Sequence, residues 1–143
     1  MIFGHLALVA SALFTGAALY VNVVEQPARL ALADASALAQ WKPAQRRGLA
    51  LEAALVLAAF IFGVAAFLVV GNWRWLAGGV LMLANWPFTF TGVMPTNRRL
   101  HAERETAPGP DCRKLLANWG QLHMVRTGLG VLATLVFFWA ALD

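Results

Sequence analysis

Cysteine occurs once in this chain, at Cys112, which excludes an internal disulfide and any paired-thiolate metal site. Charge is equally scarce: 13% of the 143 residues are Asp, Glu, Lys or Arg, about half the share of a typical soluble domain. No Gly-rich phosphate loop, HExxH helix or cysteine pair is present, so the usual signatures of nucleotide, zinc-protease and dithiol chemistry are missing. The first apolar run, Ile2 to Val24, has no basic residue ahead of it and is longer than the roughly 7–15 residues of a signal-peptide core. It reads as a membrane span rather than a cleaved leader.

What the chain has instead is apolar length. Hydrophobic residues make up 60% of it and the mean hydropathy is +0.65, values of an integral membrane protein. Stretches able to cross a hydrocarbon core of about 30 Å fall at 2–24, 49–70, 75–95 and 119–142. The expectation is an all-α fold, an antiparallel four-helix bundle forming one transmembrane domain over residues 1–143. Of the net charge of +4, most sits between spans, which argues for topology signals and against nucleic-acid binding. Arg29, Lys42, Arg46 and Arg47 lie in the stretch 25–48, and Arg98, Arg99, Arg104, Arg113 and Lys114 in the stretch 96–118. The positive-inside rule puts both stretches in the cytoplasm and both termini outside a cytoplasmic (inner) membrane. Trp41 and Trp119 are then expected near the inner interface, and Trp73, Trp75 and Trp139 near the outer one.

Pro27, Pro43, Pro95, Pro108 and Pro110 read as connection residues, and 28–40 as a short interfacial helix. Pro87 falls inside the third span and removes a helical donor, so a kink is expected beside Trp86, with Asn85, Thr89 and Thr91 able to satisfy freed backbone groups.

Each span carries a seam of small or polar residues at alternating spacings of four and three. The seams run Gly4, Leu8, Ser11, Thr15, Ala18, Asn22 and Glu25; Glu52, Val56, Ala59, Gly63 and Ala66; Gly78, Met82, Asn85, Thr89, Gly92 and Thr96; and Trp119, His123, Arg126, Gly130 and Ala133. Close helix packing accounts for the small residues. It does not account for Asn22, Glu25, Glu52, Thr96, Asn97, His123 and Arg126, all toward the basic end, which together define a polar pocket with Trp119 at its rim. Glu52 is read as reaching the interface.

Two readings of the pocket compete. In one it is a structural network, Glu25 paired with Arg126 while His123 and Asn97 fill the remaining hydrogen-bond valences, in a non-catalytic carrier or partner subunit. In the other, His123 is a general base while Arg126 and Asn97 stabilise an oxyanion and Glu25 supplies the carboxylate. Trp86, Phe90, Trp119, Asn22 and Tyr20 would then contact a flat apolar substrate drawn from the bilayer. No cofactor is expected. A metal-dependent oxidoreductase is the third reading, with Glu25, His123 and His101, and Glu52 or Glu103 as a further carboxylate, as ligands of iron, copper or zinc. The partners expected are the lipid bilayer and a hydrophobic small molecule, and a homo-oligomer is compatible with each reading.

The succession Val24-Glu25-Gln26-Pro27-Ala28-Arg29, then Pro95-Thr96-Asn97-Arg98-Arg99-Leu100, then Trp119-x-x-x-His123-x-x-Arg126 resembles the anthrone oxygenase-like family of small four-span membrane proteins. The resemblance implies oxidation of an anthrone- or quinone-like substrate by dioxygen without a cofactor. His123 would remove a methylene proton, Arg126 and Asn97 would stabilise the enolate, and Glu25 would orient His123 or Arg126. Gln26 stands where many relatives have histidine.

Overall fold

The computed structural model describes residues 1–142. Four long helices account for most of them: α1 Ile2–Leu30, α2 Asp34–Val70, α3 Trp73–Ala102 and α4 Cys112–Ala141. Each is long and apolar enough to cross a membrane, and the chain is an all-α integral membrane protein. No strand forms among the described residues beyond a single bridge between Arg104 and Ala107.

The helices outrun the apolar stretches at the basic end. The expected connection 25–48 shrinks to residues 31–33, because α1 continues to Leu30 and α2 starts at Asp34. The short interfacial helix expected at 28–40 is therefore absent, its residues divided between the end of α1 and the start of α2. Hydropathy marks where a helix meets lipid, whereas its ends are set by caps and ion pairs. Here Arg113 reaches across to Asp34 at 2.7 Å and to the carbonyls of Leu30 and Leu32, fastening this turn to α4. At the other end Gly71, with φ of +74°, stops α2, and the Asn72 side chain accepts from the Arg74 N–H to start α3.

Three prolines expected in connections lie inside helices: Pro27, Pro43 and Pro95. Pro27 and Pro95 each follow a wide π-helical turn, Val21–Glu25 in α1 and Thr89–Val93 in α3. The extra residue in each turn accommodates a ring that supplies no N–H and crowds the carbonyl four residues back. The interruption expected beside Trp86 falls at Ala84, between Trp73–Leu83 and Asn85–Phe88. Asn85 Nδ2 donates to the Met82 carbonyl at 3.1 Å and Thr91 Oγ1 to that of Pro87 at 2.8 Å. Before the interruption α3 packs on both α2 and α4; after it, Asn85–Val93 stays with α4 and parts from α2, which Met94–Ala102 meets again through His101, Gln45 and Trp41.

Two apolar clusters fill the interior. Phe14, Val56, Trp75, Met82 and Phe137 form one, and Leu38, Trp41, Leu100, Leu116 and Trp119 the other. Small residues make the first possible. A methyl group on Gly4 would meet Trp75 at 2.6 Å, and one on Gly78 would meet Phe137 at 2.6 Å. Trp41 and Trp75 are fully buried and Trp119 nearly so, which corrects their expected place as interfacial anchors: their rings fill core space. Trp73 and Trp139 are exposed, as a belt requires. The seams of α2 and α4 are buried at every position. Between the clusters lies a polar layer.

Candidate functional site

The polar layer is drawn from α1, α2 and α4. Glu52 is the one charge in the apolar run of α2, and it is 3% exposed. Its Oε2 forms an ion pair with Arg126 Nη2 at 2.7 Å, and its Oε1 lies 3.3 Å from His123 Nε2. The three-residue spacing of His123 and Arg126 puts both on one face of α4, so a single carboxylate receives both.

The other imidazole nitrogen is held by Asn22. His123 Nδ1 lies 2.9 Å from Asn22 Oδ1, which also accepts from Thr127 Oγ1 at 2.7 Å, while Asn22 Nδ2 donates to the Gly120 carbonyl at 3.0 Å. With the amide nitrogen committed to a carbonyl, Oδ1 is an acceptor and Nδ1 must donate to it. Nε2 is left facing Glu52 Oε1. The Trp119 ring lies 5.0 Å from that of His123 and packs edge-on against Trp41.

His123, Arg126, Asn97 and Glu25, the four expected catalytic residues, border one small cavity together with Glu52 and Trp119. At about 30 Å³ it has room for little more than one water. Around it, Arg126 Nε, Asn97 Oδ1 and Trp119 Nε1 are buried without hydrogen-bond partners. Asn97 Nδ2 touches only Met94 Sδ, at 3.6 Å, a weak acceptor.

Glu25 differs from its expected role. It accepts from Arg29 Nη2 at 2.7 Å and Gln40 Nε2 at 2.8 Å, and pairs with neither Arg126 nor His123. One turn of helix separates Glu25 from Arg29, and this local pair forms in preference to a cross-bundle one. Gln26 ties α1 to α4 by donating to the Leu116 carbonyl at 2.7 Å. Tyr20 is 58% exposed on the outer surface of α1, away from the cavity. The expected metal set does not assemble either: His101 bonds to Gln45 at 2.7 Å, Glu25 to Arg29, and His123 to Asn22 and Glu52. Among the described residues no group of three His, Cys, Asp or Glu is placed to hold a metal ion.

Where α3 parts from α2, a groove of about 240 Å³ opens, lined by Leu49, Ala53, Trp86, Phe90, Met94 and Arg126. Arg126 and Leu49 border groove and cavity alike.

With His123, Arg126 and Asn97 around one cavity, the motif resemblance acquires a spatial counterpart, and the sequence model of the anthrone oxygenase family matches residues 41–136. The chain belongs to the anthrone oxygenase family. Glu52, Trp86, Asn97, Trp119, His123 and Arg126 fall within the part shared with the family, whereas Tyr20, Asn22 and Glu25 precede it. No match was found among curated proteins or among solved structures.

Sequence reasoning put Glu52 toward the pocket without making it the partner of His123 and Arg126, and it missed Thr127. Glu52 is visible as the head of the α2 seam, but there it reads as a carboxylate reaching the interface. Thr127 carried no signal, since a threonine one turn after a histidine is unremarkable in any helix.

Proposed function

We propose that this protein oxidises a hydrophobic aromatic substrate of the anthrone or hydroquinone type with dioxygen, using the Glu52, His123 and Arg126 constellation. The observation that carries the reading is a histidine with one nitrogen fixed by an amide and the other facing a carboxylate, beside an unpartnered guanidinium N–H. An anthrone needs a base for its acidic methylene and a positive partner for the enolate oxygen. The His123 and Glu52 pair takes the proton. Arg126 Nε–H and the loosely held Asn97 amide then balance the oxyanion.

The carbanion carbon gives its electrons to dioxygen and forms a carbon–oxygen bond. The resulting peroxide is protonated and loses the second methylene hydrogen with cleavage of its O–O bond, leaving a ketone and one water. Dioxygen thereby takes up four electrons, and the proton first removed ends in the water. Trp86, Phe90 and Trp119 are the aromatic surfaces offered to the substrate. The basic end faces the cytoplasm.

Oxygen uptake by purified protein given anthrone, corrected for autoxidation, tests this. Uptake that falls at least tenfold in His123→Ala supports it, and no uptake with any anthrone or hydroquinone refutes it. In the competing reading, a carrier or partner subunit with a structural polar layer, His123→Ala lowers thermal stability and leaves ligand affinity unchanged.

A further inference from the structure

The polar layer is enclosed, and its cavity is far smaller than the roughly 300 Å³ at which small-molecule pockets begin. A tricyclic substrate needs a way in and a larger seat. The groove between α2 and α3 offers the way in and, at about 240 Å³, a seat that approaches that size beside the cavity, with which it shares Arg126 and Leu49. It lies where Asn85–Val93, with Pro87 and the π-helical turn Thr89–Val93, runs apart from α2 before Met94–Ala102 returns to it. Apart from Thr89 and Arg126 its walls are apolar or aromatic, and Phe90, 61% exposed, stands at its mouth.

Depth argues for lipid access. Ala53 lies six and seven residues along α2 from Arg47 and Arg46, and Phe90 eight and nine along α3 from Arg98 and Arg99. At 1.5 Å per residue the mouth is about 9–13 Å inside the basic residues, at acyl-chain depth for a chain whose charged ends lie at an interface.

The groove is not uniformly apolar. Arg126, nine-tenths buried or more, borders it and has an unpartnered Nε–H; Trp86 borders it and its buried indole N–H has no partner. Two vacant donors on residues that border an apolar slot are costly unless an acceptor arrives. An acyl chain brings none, whereas an aryl ketone or quinone brings a carbonyl oxygen on a flat apolar frame. We propose that the groove between α2 and α3 is a lateral portal and binding seat for a flat, carbonyl-bearing aromatic, with Ala53 and Met94 setting its width. Trp86 is a positioning residue that gives its indole N–H to the ligand oxygen. The proposal rests on the oxygenase reading for its substrate, but binding can be measured without turnover.

The probe is an anthraquinone carrying a photoactivatable diazirine, added to the full-length protein in lipid nanodiscs. Cross-links are expected at Leu49, Ala53, Phe90 or Met94, competed by plain anthraquinone and reduced at least fivefold in Ala53→Trp, which fills the slot. Trp86→Phe keeps the ring and loses the N–H; it should raise Kd for anthraquinone about tenfold and leave Kd for anthracene, which has no oxygen, within twofold. Cross-links at Gln45, Arg98 or His101 instead, at the basic face, would overturn the portal. So would undiminished labelling of folded Ala53→Trp, equal effects of Trp86→Phe on both ligands, or labelling competed by phospholipid but not by anthraquinone. Should Ala53→Trp not fold, the wild-type cross-link map and the Trp86→Phe comparison decide alone. Groove labelling without oxygen uptake from anthrone would retain the portal and remove the oxygenase.

Discussion

Glu52 Oε1 lies 3.3 Å from His123 Nε2 on the neighbouring α4, and the second oxygen of the same carboxylate takes Arg126 at 2.7 Å. One acid thus balances the charge of the guanidinium and faces the imidazole. All three side chains are at least nine-tenths buried, so the loss of one leaves the others without compensation. Glu52→Gln should destabilise the protein by about 3–5 kcal/mol, while Glu52→Leu combined with Arg126→Met should recover most of that loss. Reversible unfolding in mixed micelles, followed by helical circular dichroism, gives both values. Equal destabilisation by the single and double changes would mean the pair is not coupled.

Asn22 sets the tautomer. Its amide is oriented by the Gly120 carbonyl and the Thr127 hydroxyl, and Asn22→Ala removes the acceptor of His123 Nδ1. Turnover is expected to fall about 10–100-fold, the range seen when a partner that orients a functional histidine is lost. Nitrogen NMR of labelled histidine should show Nδ1 protonated in the wild type and a mixture of tautomers in Asn22→Ala. A protein that merely loosened would keep the wild-type tautomer.

The seam glycines divide by what lies above them. Gly4→Ala and Gly78→Ala would each press a methyl group to 2.6 Å from an aromatic ring, and each should cost about 1–3 kcal/mol by overpacking. Gly16→Ala meets nothing within 4 Å and should be neutral or stabilising by up to about 1 kcal/mol. Thermal unfolding of the three variants gives the order, and a Gly16 variant less stable than the other two would contradict this packing.

The proposed orientation, basic ends inward, rests on the positive-inside rule. In a Cys112→Ser background, Ala107→Cys should be shielded from a membrane-impermeant maleimide in intact cells and react after lysis, while Asn72→Cys should react in both. The opposite pattern would invert the topology.

Much of this architecture can be read in the sequence, and its limits are physical. Apolar length and seam spacing identify four helices and their inward faces, because lipid admits only segments that satisfy their own backbone. Helix ends are less legible: Arg113 bonding to Asp34 and to carbonyls after α1 joins residues about eighty positions apart. Pro27 and Pro95 look like connections until a π-helical turn is allowed before each. At the site, His123 and Arg126 stand out as polar groups in an apolar run, but choosing their carboxylate requires geometry. Glu25 and Glu52 are both near the basic end, and only the i, i+4 relation of Glu25 to Arg29 hints that Glu25 is already paired. The groove beside Trp86 arises from two helices diverging, which no local pattern records.

The most direct test of the account is the turnover of Glu52→Gln against Glu25→Gln, measured as oxygen consumed per anthrone oxidised by folded protein in the same lipid. With Glu52 as the proton partner of His123, Glu52→Gln should lose about 10²–10⁴-fold in kcat and Glu25→Gln should stay within about threefold of wild type, since its partners are Arg29 and Gln40. An active Glu52→Gln beside an inactive Glu25→Gln would contradict it.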